Sequence, residues 1–157
     1  MNKKLTNDIF FMKKAISEAK IALSNGEVPV GAVIVANNTV IARAHNQTEL
    51  LNDVTAHAEM LAITSASSMI GGKYLHNCTM YVTLEPCSMC AGALYWTQIS
   101  RIVYGASDLK RGYIKNKTPL HPKTKVVSGV CKNESETLLN NFFELFHGHT
   151  HFLQVFF

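Results

Sequence analysis

The sequence predicts an α/β domain in which a five-stranded sheet is covered by helices on both faces. Short apolar runs rich in β-branched residues recur along the chain, as buried strands do. Segments with helical periodicity fall between and around them. Helix-start and helix-stop residues punctuate the alternation, the pattern of a sheet packed on two sides. The 157 residues suffice for one domain with a sizeable core, spanning 1–157 without internal repeat or linker. A hydrophobic fraction of 47% with 17% charged residues fits a globular protein and argues against a disordered chain.

The elements follow in order. From about residue 7 to 23, Ile9, Met12, Ile16, Ala19 and Leu23 share one stripe, and Lys13, Lys14, Glu18 and Lys20 lie off it. Asn25-Gly26 stops this helix. Residues 28–35 form an apolar strand that turns at Asn37-Asn38 into a second strand, 39–42. A helix starts near Thr55, a good N-cap residue, and ends at Gly71-Gly72. Residues 80–84 are the third strand. Pro86 opens a helix running to about Gln98, since proline suits a first helical turn. Residues 99–104 form a fourth strand ended by Gly105, and 125–130 a fifth, with a polar, basic loop over 106–124. The last helix begins with Asn133 and Glu136 spaced as a capping box and buries Leu138, Phe142, Leu145 and Phe146. The His- and Phe-rich tail from about residue 147 has no assignable pattern beyond weak, adventitious metal binding.

A net charge of +4 permits a polyanionic partner without establishing one. The first residues contain no apolar signal core, and no apolar run approaches the ~18 residues needed to span a bilayer. The expectation is a cytoplasmic protein with no membrane association. Its four cysteines then read as ligands or free thiols rather than disulfides. Cys78 and Cys131 stand alone and read as small buried hydrophobes.

Cys87 and Cys90 are three residues apart at a helix start, so both sulfurs project from one face of its first turn. A helix N-terminus favours thiolates, the forms that bind metal. His57, in the first turn of the preceding helix, adds a neutral imidazole. Three protein ligands leave a tetrahedral zinc one position for water, the mark of a catalytic rather than a structural site. Glu59, two residues from His57, is placed to collect the water's proton; alone, it would be an ordinary first-turn carboxylate. A lone C-x-x-C could be a redox pair or half a zinc finger. His57-Ala58-Glu59 followed by Pro86-Cys87-Ser88-Met89-Cys90 is the far more specific H-x-E…P-C-x-x-C signature of zinc-dependent nucleobase deaminases.

On these residues, together with Glu27-Val28-Pro29-Val30-Gly31-Ala32 and 81–93, the chain resembles the cytidine/deoxycytidylate deaminase-like superfamily. Within it, the chain resembles bacterial tRNA-specific adenosine deaminases over roughly residues 7–146. The resemblance implies a three-layer α/β/α cytidine deaminase-like fold with a five-stranded mixed sheet, one Zn2+ per chain and a homodimer. It implies hydrolytic attack at C6 of the wobble adenosine in a tRNA anticodon stem-loop. Glu59 would pass the proton to the ring nitrogen and then help ammonia leave, producing inosine. Asn46 would hold the flipped base, its alternative being an Asx-turn. Glu27 and Pro29 would line the substrate mouth or merely set the start of the first strand, and Ala58 would contact substrate. Asp108 would lie near the nucleic acid or cap the segment after the fourth strand.

Lys110 and Arg111 head a run with Lys115, Lys117, Lys123 and Lys125, six basic residues in sixteen, with Tyr113 and His121 among them. RNA phosphates are expected here, a solvated loop being the alternative. Two segments depart from the RNA-acting pattern. Residues 112–117 replace a small-residue Gly-Ala-Gly-Ser-like loop, and 142–146 with the tail replace a basic helix. Deamination of a free nucleobase or nucleoside (guanine, cytosine or adenosine type) therefore stays open. So does a non-catalytic scaffold with structural zinc, which would have no need of Glu59.

Overall fold

A computed structural model describes residues 2–147, with the side chain of residue 147 outside the description. The helices are α1 (Lys3–Ser24), α2 (Ala58–Ile70), α3 (Ser88–Thr97) and α4 (Lys132–His147). The strands are β1 (Gly31–Ala36), β2 (Thr39–His45), β3 (Cys78–Leu84), β4 (Arg101–Ala106) and β5 (Lys125–Ser128). They form one sheet in the order β2-β1-β3-β4-β5. β1 runs antiparallel to β2 and β3, whereas β3, β4 and β5 are parallel. The β1–β2 hairpin turns at Asn37 and Asn38, both at positive φ (50° and 58°), as a tight hairpin with the sheet's twist requires.

Alternation along the strands feeds two cores. Ala32, Ile34, Met80, Val82 and Ile102 pack with α2 and α3, while Val33, Val35, Tyr81 and Val103 pack with α1. α4 lies beside α1. This is the α/β/α layering. α1 approaches the sheet so closely that a Cβ on Gly31 would lie 2.0 Å from the Ala15 carbonyl oxygen. It is also pinned through charge. Arg101 donates two hydrogen bonds to the buried Asp8 carboxylate, at 2.7 and 2.6 Å, and the Tyr81 hydroxyl donates a third at 2.9 Å.

Several boundaries differ from expectation for local reasons. α1 begins at Lys3 because Asn2 Oδ1 accepts the Lys4 N–H at 3.0 Å and caps it earlier. The first strand starts only at Gly31, because Val30 N–H closes a tight turn onto the Val28 carbonyl at 2.8 Å. The second strand extends to His45. α2 starts at Ala58 with His57 as N-cap. Thr55 cannot cap it, because its hydroxyl and N–H both donate to Asp53 Oδ1 (2.7 and 2.8 Å). Gly105 continues β4 instead of ending it, and β5 stops at Ser128.

α4 starts at Lys132, which puts Asn133 inside its first turn and removes the expected capping box. Its buried stripe is Leu138, Leu139, Phe142 and Phe143. Leu145 lies off that stripe and is 73% exposed. Phe146, near the helix end, is 52% exposed, with its ring centroid 4.9 Å from that of Phe142. The His- and Phe-rich tail beyond residue 147 lies outside the described residues. Among the described residues, no helix is long and apolar enough to cross a membrane.

Candidate active site

Four chain segments meet beyond one end of the sheet and enclose a cavity: the residues leading into β1, the end of β2 with the start of α2, the β3–α3 turn, and the loop after β4. Val28, Val30 and Leu84 supply apolar walls, and Asn46, Thr48, His57, Glu59, Glu85, Cys87, Asp108 and Arg111 the polar lining.

His57 Nδ1 lies 3.7 Å from Cys87 Sγ and 3.5 Å from Cys90 Sγ. This trio is a metal-competent cluster, with the donor atoms mutually within 4.8 Å. Tetrahedral zinc, with bonds near 2.3 Å to sulfur and 2.0–2.1 Å to nitrogen, requires S···N separations of about 3.6 Å. The observed distances fit. His57 is the N-cap of α2 and Cys87 the N-cap of α3, with Cys90 in the first turn of α3. Two helix N-termini therefore direct their positive ends at the donor set, which suits thiolates. The electrostatics agree. Cys90 and His57 donate toward Cys87 and hold its thiol down at about 4. The same hydrogen bond, with burial, pushes the Cys90 thiol up. The bond to Cys87 raises His57, against the opposing effect of its burial.

Glu59, in the first turn of α2, is 4% exposed and lines the same cavity. Burial pushes its carboxyl up to about 7, so it can both hold and release a proton near neutrality.

The remaining predicted residues divide. Asn46 follows β2 and lines the cavity. Its Oδ1 accepts the Ala58 N–H at 2.8 Å, not a local Asx-turn, which leaves the amide NH2 as its donor. Ala58 is fully buried and reaches the site through that backbone bond. Glu27 is not on the cavity wall. Its buried carboxylate accepts from Thr48 Oγ1 (3.1 Å) and from the N–H groups of Glu49 and Leu50 (both 2.9 Å), and so holds the loop that carries Thr48. Pro29 is buried beside Val28 and Val30, and only those two neighbours line the wall. Asp108 both lines the cavity and caps, its Oδ1 accepting the N–H groups of Lys110 (3.0 Å) and Arg111 (2.9 Å). Lys110 is exposed, and Arg111, also exposed, reaches the cavity. Cys78 is buried, and Cys131 half-buried.

Sequence reasoning missed Val28, Val30, Thr48, Leu84 and Glu85 as cavity residues. The signal was in Leu84-Glu85-Pro86-Cys87, where a carboxylate precedes the first thiolate ligand.

A three-donor metal centre beside a buried, near-neutral carboxylic acid, on an α/β/α scaffold, is the site of a metal-dependent hydrolase. Residues 5–106 match the cytidine and deoxycytidylate deaminase zinc-binding region, and the chain belongs to that family of zinc-dependent deaminases. It is 44% identical over 145 residues to the tRNA-specific adenosine deaminase of Bacillus subtilis, covering 88% of this chain and 90% of that one. The Aquifex aeolicus protein of the same name is 52% identical over 103 residues, covering 66% and 68%. A structure solved in work on A-to-I editing by tRNA:A34 deaminases superposes with a TM-score of 0.78 at 43% identity, covering 83% of this chain and 99% of that one. Guanine deaminase from Bacillus subtilis superposes less well, with a TM-score of 0.61 at 34% identity, covering 74% and 69%.

Proposed function

We propose that this chain converts the wobble adenosine of a tRNA anticodon stem-loop to inosine, water replacing the C6 amine and ammonia leaving. The observation that carries the reading is the joining, in one cavity, of the His57–Cys87–Cys90 cluster and Glu59 with Arg111 of the basic loop. The RNA relatives support the substrate.

His57, Cys87 and Cys90 would hold zinc, which when bound supplies a Lewis-acidic centre that activates water at neutral pH. The Glu59 carboxylate would carry a proton from the attacking water to the ring nitrogen beside C6, and then a second from the new C6 hydroxyl to the amine, which leaves as ammonia. Val28, Val30 and Leu84 enclose the base and exclude bulk water, while the Asn46 amide donates to it. Arg111 and Lys110 meet phosphates at the rim.

We also propose a homodimer in the cytoplasm, where its tRNA substrate resides. α3 carries no charged residue, and the only one on α2 is the buried Glu59. The outer surface nearby exposes Met69, Ile70 and Trp96. Helices that expose these apolar side chains and carry no exposed charge suit a second copy of this chain.

The test is a substrate comparison on zinc-loaded protein that sediments as a dimer. Inosine should form in an anticodon stem-loop with a wobble adenosine, at rates that fall steeply with salt. Turnover of free guanine, cytosine or adenosine with the stem-loop untouched would establish the free-base reading instead.

A further inference from the structure

Glu85 is no metal ligand, yet it is 3% exposed and its carboxylate is divided between two ends of one loop. Oε2 accepts the Asp108 N–H at 2.9 Å, and Oε1 accepts the Ile114 N–H at 3.1 Å. Main-chain bonds tie the same loop to the metal turn. Glu85 N–H donates to the Ala106 carbonyl at 2.8 Å, and Tyr113 N–H to the Pro86 carbonyl at 2.9 Å. Gly112 bridges to Cys87 itself. Only glycine fits there: a Cβ would sit 2.3 Å from Glu85 Oε1 and 2.4 Å from the Asp108 carbonyl oxygen.

A buried carboxylate is tolerated where its oxygens are matched by donors. Here the donors belong to a loop without helix or strand, so carboxylate and loop order one another. The loop in turn presents Asp108 and Arg111 to the cavity.

We propose that Glu85 is a positioning residue for substrate binding: it locks the 108–114 loop to the Pro86–Cys87 turn, so that Arg111 stands at the cavity mouth before RNA arrives. The inference rests on the RNA reading above. Preorganisation of this kind lowers the entropy lost on binding, and its loss falls on affinity first.

The experiment uses zinc-loaded Glu85→Gln and Gly112→Ala with the anticodon stem-loop. Glutamine keeps the length but turns an NH2 group against a backbone N–H. For each variant, KM should rise roughly tenfold to a hundredfold, the range for one lost hydrogen bond to a charged group. In Glu85→Gln, kcat should move less than about threefold, with one zinc per chain retained, and log KM should depend less steeply on log salt. In an Arg111→Ala background, Glu85→Gln should add less than about threefold, because the residue it positions is gone. Wild-type KM and salt slope in both variants would overturn the proposal. So would loss of zinc, or full additivity with Arg111→Ala. If wild type itself neither binds nor edits the stem-loop, the RNA reading fails first, and the two failures are distinguishable.

Discussion

Replacing Glu59 by Gln removes the proton carrier while keeping its volume in a position only 4% exposed. Burial pushes the Glu59 carboxyl up to about 7, toward the range that suits a group that must take and then give a proton. Glutamine can do neither. General acid–base catalysis contributes about 10²–10⁴-fold. In the proposed reaction Glu59 serves both protonation of the ring and departure of the amine, so kcat should fall about 10³-fold, or ~4 kcal/mol. The assay is single-turnover inosine formation in the stem-loop, with zinc quantified in the same preparation. A kcat within tenfold of wild type, with one zinc per chain, would refute the proton-carrier role. Loss of zinc would refute it differently, by making Glu59 part of the metal's support.

The other predictions concern the metal and the scaffold. Cys87→Ala should lose both zinc and activity; elemental analysis that shows unchanged zinc would exclude Cys87 from the donor set. Asp8→Ala should strand the Arg101 guanidinium, whose side chain is 13% exposed. Breaking such a pair costs about 3–5 kcal/mol, a fall of about 6–20 °C in Tm for a domain of this size, and a shift under about 2 °C would contradict it. The pair also has a pH signature. Burial raises the Asp8 carboxyl, but the hydrogen bonds from Arg101 and Tyr81 outweigh it and leave it below the usual 3.8. Its stabilisation is therefore present above that unfolded value and lost as pH falls through the lowered folded one. Acid unfolding of wild type should steepen below about pH 4, and Asp8→Ala should flatten that limb.

Much of the site is legible in the amino-acid order because metal chemistry restricts residue types. Few side chains can supply zinc donors, and Cys87 and Cys90 at a helix start, taken together with His57 and Glu59, admit few other readings. Strands are legible where burial on both faces demands an unbroken apolar run, as in β1. Boundaries are less so. Thr55 has the right hydroxyl for an N-cap, but Asp53 captures it and α2 starts at Ala58.

By itself the sequence determined the α/β class, a three-residue metal-competent donor set with its neighbouring carboxylate, and the basic loop, because each is written in residue type and local spacing. Only the tertiary structure decided what Glu27, Glu85 and Asp108 do. Glu27 holds N–H groups 22 and 23 residues away, and Glu85 holds N–H groups 23 and 29 residues away. A carboxylate that accepts backbone N–H bonds asks nothing of the donor's side chain, so the partners leave no mark in the sequence. Those unmarked bonds bring the metal turn, the Thr48 loop and Arg111 around one cavity.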